Sequence, residues 1–189
     1  MLLEQLEHAL MAQPGKRELK LRHAAQASVA VLIRPNYDVL FIRRAEYEGD
    51  PWSGHIALPG GRVDATDTDS EHAARREVFE EVGVDLKGAR LLGMLDQVAS
   101  PDLAPRVVVS PYVYALDSDP KLTLDSTEVA DVHWFGLERL LSGEGRGRFD
   151  YEYRGRAFEL PRVDLDGARI WGMTLRIVDD IMTRLRAGL

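Results

Sequence analysis

The tightest constraint on this chain lies in residues 58–84, LPGGRVDATDTDSEHAARREVFEEVGV. Within it Glu77, Glu80 and Glu81 fall at i, i+3 and i+4, so on a helix all three carboxylates share one face. Like charges at that spacing repel, and a helix gains nothing locally from stacking them. The arrangement calls for an outside partner, usually a divalent cation. Hard cations such as Mg²⁺ take oxygen ligands and are commonly held together with substrate phosphates. A solvated acidic face is the competing reading, and the Gly60-Gly61 pair just upstream favours the site.

The flanks of this stretch carry the signals of a loop running into a helix. Residues 55–58 (HIAL) read as a short strand entering Pro59-Gly60-Gly61. Helix start signals stand at Thr68 or Asp69, with Glu71 placed to complete a capping box on Thr68. Ala73, Ala74, Val78 and Val82 form the packed side, which puts the carboxylates opposite or beside it. Gly83 stands where a left-handed cap ends the helix.

Elsewhere the pattern is that of alternating strands and helices. Residues 2–12 repeat leucine at helical spacing and stop at Pro14-Gly15, and the basic segment 16–22 reads as a linker or short strand. Residues 27–33 (ASVAVLI) are continuously apolar and β-branched, as in a buried central strand. A turn at Pro35-Asn36 leads to a returning strand over 39–42. Arg43 and Arg44 follow, pointing opposite ways, so at most one faces a ligand; solvated strand-end charges weigh equally with a phosphate contact. The turn-rich segment 46–54 reads as a mobile loop, with Trp52 packing it down.

Three further strands are expected at 90–95, 107–116 and 129–135, with an irregular loop over 97–105 and a helical turn over 137–141. The glycine-rich 143–148 follows no strand-to-helix pattern of the dinucleotide type and reads as a flexible loop. Residues 149–153 and 156–160 read as a hairpin around Arg154-Gly155, and 168–185 as an amphipathic closing helix. The division expected is a helix and linker over 1–26 and one domain over 27–189.

Composition narrows the function classes. With 189 residues, 45% hydrophobic and 29% charged, the chain can bury one sizeable core. Its net charge of −7 is spread along the sequence, without the clustered basic face that a nucleic-acid backbone requires. No cysteine is present, which excludes disulfides, thiolate catalysis and cysteine zinc sites. Glu4 and Glu7 interrupt the apolar N-terminus, unlike a signal peptide, and no run reaches membrane-span length. The expectation is a soluble cytoplasmic protein with no nucleic-acid or membrane partner.

Residues 76–84, REVFEEVGV, resemble the second half of the box of the Nudix hydrolases, R-E-U-x-E-E-x-G-U with U aliphatic. The first half departs from it. Asp67 stands where the box has glutamate, and eight residues rather than seven separate it from Arg76. The resulting Gly-Gly-x-x-Asp-x-x-Asp order is similar to the coenzyme A pyrophosphatase branch. Arg44-Ala45, the segment 54–61 (GHIALPGG) and 170–174 (IWGMT) also look like that branch, with Leu58 for its phenylalanine. The branch's second arginine is absent, and Gly49 or Asp50 stands in its place.

The resemblance implies an α/β fold, a Nudix-type α/β/α sandwich with a mixed sheet and a loop-helix-loop catalytic box. It implies that Glu77, Glu80 and Glu81 bind Mg²⁺ or Mn²⁺ with the Gly60 carbonyl, and that Arg76 orients a glutamate through a salt bridge. Glu128 is the distal acid expected to complete the site, ahead of Asp131, and Glu80 or Glu128 is the expected base. Arg44 and Gly61 are the expected substrate contacts. The implied partner is a small-molecule diphosphate, coenzyme A or its esters first, then a nucleotide sugar or dinucleotide, then a nucleoside triphosphate. A homodimer is left open. A catalytically silent nucleotide-binding module is the rival of another class, and the intact glutamates argue against it. Serine–histidine hydrolysis is set aside because His55 and His72 have no nucleophile elbow nearby.

Overall fold

The computed structural model describes residues 2–17, 24–49, 52–100, 106–153 and 155–187. Residues 18–22 of the expected linker, Asp50, the Pro101 and Ala104-Pro105 turn signals and Arg154 lie outside the described residues.

The apolar run expected to be central is central. Strand β1 (Ala25–Ile33) pairs in parallel with β7 (Val107–Ala115) along its whole length. Both are buried on two faces, which suits their β-branched sequences. On its other edge β1 meets two partners. At Ile33 it pairs with Val39 of β2 (Asp38–Arg44), and at 27–29 it pairs with β4 (Gly60–Arg62). The expected hairpin therefore opens after one pair. Strand β2 spends its length on β8 (Val129–Gly136), and its far end takes β3 (Ile56–Ala57). The wedge left between β1 and β2 holds the Pro59-Gly60-Gly61 turn. Strands β5 (Arg90–Met94) and β6 (Val98–Ala99) pair antiparallel with β7, the latter ordering the start of the expected 97–105 loop.

Helices cover both faces of this mixed sheet. On one side α2 (Ser70–Val82) packs Ala74, Val78 and Val82 onto Ala30, Leu32, Leu40 and Ile42. On the other, α1 (Leu2–Ala12) and α4 (Gly172–Ala187) bring Leu6, Leu10, Leu175, Ile177 and Met182 onto Val31, Ile33, Val39 and Phe41. The alternation of β1 and β2 side chains between the two clusters is the period-two rule at work. The result is the expected α/β/α sandwich with a mixed sheet. Among the described residues no helix is long and apolar enough to cross a membrane.

Three local expectations are corrected. The N-cap of α2 is Asp69, one of the two starts expected, accepting the His72 N–H at 2.8 Å, and the capping box expected on Thr68 gives way because Glu71 accepts the Tyr114 hydroxyl at 3.0 Å. The 143–148 loop ends early, because β9 (Arg146–Tyr153) starts inside it and pairs with β10 (Arg156–Leu165). The closing helix also starts late. Residues 168–171 are β11 (Ala168–Trp171), paired with β10, and Gly172 at φ 63° makes the turn into α4. A short helix α3 (Leu137–Ser142) joins the two sheets.

Candidate active site

The site forms where the β1–β2 wedge meets the C-terminal half of α2. Gly60 has φ 145°, and a Cβ there would stand 2.2 Å from the Ser28 carbonyl oxygen, so only glycine lets the turn lie against β1. A Cβ at Gly61 would meet the Glu77 carboxylate at 2.4 Å. The two glycines thus keep the turn thin enough for the helix acids to approach it. The Gly60 N–H donates to Glu81 Oε2 at 2.7 Å.

Glu81 is the most constrained of these acids. Although an acid, it lies on the packed side of α2 and is 2% exposed. Burial pushes its carboxyl up to about 8, with the Glu77 and Glu128 charges adding to the rise and the Gly60 N–H and Arg44 opposing it. Burial also raises Glu77, against the pull of Arg76. The third acid arrives from the far side of the wedge. Residues 123–128 fold against the end of α2, with the Thr123 N–H on Val82 O and the Asp125 N–H on Glu81 O. The Ala45 N–H then fixes the Glu128 carbonyl at 2.8 Å. Glu77, Glu81 and Glu128 each offer an oxygen within 4.8 Å of the others. Three hard oxygen donors, one of them buried and reluctant to ionise alone, fit a divalent cation of the Mg²⁺ kind.

The other expected residues fall around this group. Glu80 is one turn from Glu77, but its carboxylate is 51% exposed and accepts from Arg76 Nη1 at 2.9 Å, outside the three-acid cluster. Arg76 makes five hydrogen bonds, the full donor set of a guanidinium. They reach Asp67 twice, Glu77 at 2.8 Å, Glu80, and the Arg62 carbonyl. Arg44 is the cation facing Glu81, whereas Arg43 turns to the opposite face and meets His133 Nε2 at 3.3 Å. Asp131 carries an exposed carboxylate beside His133 and stays away from the cluster. Gly60 meets Glu81 through its N–H.

Asp67 has a role that the spacing alone leaves unread. Its carboxylate is wholly covered, taking Arg76 Nε and Nη2 at 3.1 and 2.9 Å, the Asp64 N–H at 2.8 Å, and facing His72 Nδ1 at 2.8 Å. The Arg76 hydrogen bonds hold it well below the usual carboxylate range. Asp67 is thus the fixed post from which Arg76 steadies Glu77. The available signal was an acid standing where the box has its glutamate. A side chain shorter by one methylene is matched by a backbone turn at 64–67 that brings it in.

A family model for the NUDIX domain matches residues 23–153. The chain belongs to the Nudix family. Nudix members of this kind are hydrolases acting on phosphorus anhydrides, generally with divalent metal ions. A mitochondrial coenzyme A diphosphatase of Homo sapiens is 33% identical over 173 residues, spanning 87% of this chain and 72% of that protein. Its Mus musculus counterpart is 31% identical over 98% of this chain and 89% of its own length. An uncharacterised Schizosaccharomyces pombe protein is 37% identical over 119 residues, and the match spans only 36% of its length. In fold, the MutT protein of Methanosarcina mazei Go1 covers 89% of this chain and 97% of its own, at a TM-score of 0.58 and 19% identity. The matched span contains the Gly60-Gly61 turn, helix α2 and Glu128.

Proposed function

We propose that this Nudix hydrolase cleaves the diphosphate linkage of a nucleoside diphosphate joined to a second moiety, with coenzyme A or its esters as the preferred substrate. The observation that carries the reading is the convergence of Glu77, Glu81 and Glu128 against the Gly60-Gly61 turn, with Arg44 alongside. Kinship with coenzyme A diphosphatases points to the substrate. A divalent cation, Mg²⁺ or Mn²⁺, held by these acids and the Gly60 carbonyl would neutralise the diphosphate oxygens and make water a better nucleophile there.

The residues divide the remaining work. Arg44 and the Gly61 backbone orient the anionic linkage, which two neighbouring phosphates otherwise shield from attack. Water adds to one phosphorus, the bridging P–O bond breaks, and two phosphate monoesters leave. Glu80 or Glu128 takes the proton of the attacking water. Glu80 suits that task because its carboxylate is open to solvent and held by Arg76 within reach of the site. Arg76, anchored on Asp67, keeps Glu77 in place.

The test is a panel with Mg²⁺ or Mn²⁺: coenzyme A and its acyl esters, nucleotide sugars and dinucleotides, and oxidised nucleoside triphosphates. Coenzyme A should turn over fastest, releasing two phosphorylated halves, and Glu80→Gln should lower turnover about a hundredfold or more without lowering the melting temperature. Faster turnover of a nucleotide sugar or triphosphate would move the substrate assignment. Nucleotide binding without turnover of any panel member would leave a silent module.

A further inference from the structure

Strand β3 and strand β11 lie side by side, and alternation along each sorts their side chains. Ile56 and Ile170 both enter the core on the α4 side. Their neighbours His55 and Trp171 therefore point away from that core, His55 on the face that Arg44 shares, and their rings meet at 5.0 Å. Trp171 also meets Tyr151 at 4.8 Å and Phe149 at 5.3 Å. Directly across the β9–β10 ladder from Tyr151 stands Phe158, 43% exposed. His55, Phe149, Tyr151 and Trp171 are each only half-buried. A cluster serving only to pin the hairpin would close over its rings, whereas this one keeps an apolar, aromatic surface open to solvent.

That surface is continuous with the catalytic wedge. The His55 carbonyl accepts the Arg44 N–H at 3.0 Å, and the next residue, Ala45, is bonded to the Glu128 carbonyl. His55 and Glu128 are thus separated by two strand spacings, roughly 10 Å. A nucleotide lying with its phosphate at Arg44 would extend its sugar and base along this edge. We propose that Trp171, Tyr151 and Phe158, with His55, form the stacking platform for the heteroaromatic base of the substrate. The proposal rests on the nucleoside-diphosphate reading above and adds to it where the base is held. Aromatic faces take any base, because every base has a π-face, so this platform selects a base from its absence rather than one base from another.

The test is direct binding, independent of turnover. AMP and ribose 5-phosphate are titrated calorimetrically, with Mg²⁺, into the wild-type chain and into Tyr151→Ala, Phe158→Ala and Trp171→Phe. Wild type should bind AMP about tenfold or more tightly than ribose 5-phosphate. The two alanine variants should lose most of that preference while binding ribose 5-phosphate as before, and Trp171→Phe, which keeps a ring, should retain much of it. Melting temperatures separate loss of the platform from loss of the fold, and Phe158, being exposed, should be replaced with little effect on stability. Equal affinity for the two probes in wild type, or a full AMP preference in both alanine variants, overturns the platform even if the diphosphatase assay succeeds. An AMP preference lost in those variants upholds it even if that assay fails.

Discussion

Glu81 is the residue at which stability and function pull apart. A carboxyl at 2% exposure, beside two other acids, prefers its proton, and its pKa of about 8 lies above the ordinary 4.5. The sign follows from linkage. Between pH 4.5 and about 8 the folded protein binds a proton that the unfolded chain has released, so stability falls as pH rises through that window. Metal-free protein should therefore melt lower at pH 9 than at pH 6, by on the order of 5 °C. Glu81→Gln should flatten that difference, because the amide keeps an oxygen for the Gly60 N–H and has no proton to lose. Differential scanning calorimetry in chelator checks both, and a Glu81→Gln slope as steep as wild type would contradict the assignment. A divalent cation should restore more stability at pH 9 than at pH 6, since at the lower pH it competes with the proton.

At the scale of elements, the loop and helix from Gly60 to Gly83 were legible in the sequence, because their positions are fixed by backbone and steric demands. Gly83 caps α2 at φ 72°, as its position at the end of the apolar pattern implies. The role of Glu81 was harder to read: spacing put it on a face with Glu77 and Glu80, and only packing shows that it turns inward while Glu80 turns to Arg76. Thr68 and Asp69 are both good N-caps one residue apart, so the sequence leaves them as alternatives, and the cap is Asp69. Gly61 gives the element-scale prediction. In Gly61→Ala the new Cβ would stand 2.4 Å from the Glu77 carboxylate and push it off the cluster. Turnover should fall by about tenfold to a hundredfold with the melting temperature nearly unchanged, because the displaced group is a site acid and not core. Steady-state kinetics beside a thermal melt would show this, and a full-rate Gly61→Ala would mean that Glu77 does not need its place against the turn.

At the scale of the molecule, the sandwich was readable from alternating strands and amphipathic helices, but the wedge was not. Pairing of β2 with β8 rather than with β1 beyond Val39 is a long-range choice, and the sequence around the Pro35-Asn36 turn promises an ordinary hairpin. Strand β11 was hidden for a related reason. Its apolar residues sit at helical spacing with those of α4, and only the Arg162-to-Trp171 pairing with β10 makes them a strand. Glu128 was reachable as an acid before a strand, but its meeting with Glu77 and Glu81 depends on residues 123–128 folding against α2. The wedge is what brings two acids of α2 and Glu128 into one site. The most direct test of that claim is calorimetric titration of Mn²⁺ into metal-free protein. Glu81→Gln and Glu128→Gln should each weaken binding by about tenfold or more, since each removes one of three charged ligands, while Asp131→Asn should bind as wild type does. Unchanged affinity in Glu81→Gln and Glu128→Gln, or an equal loss in Asp131→Asn, would contradict a cation site built from these three glutamates.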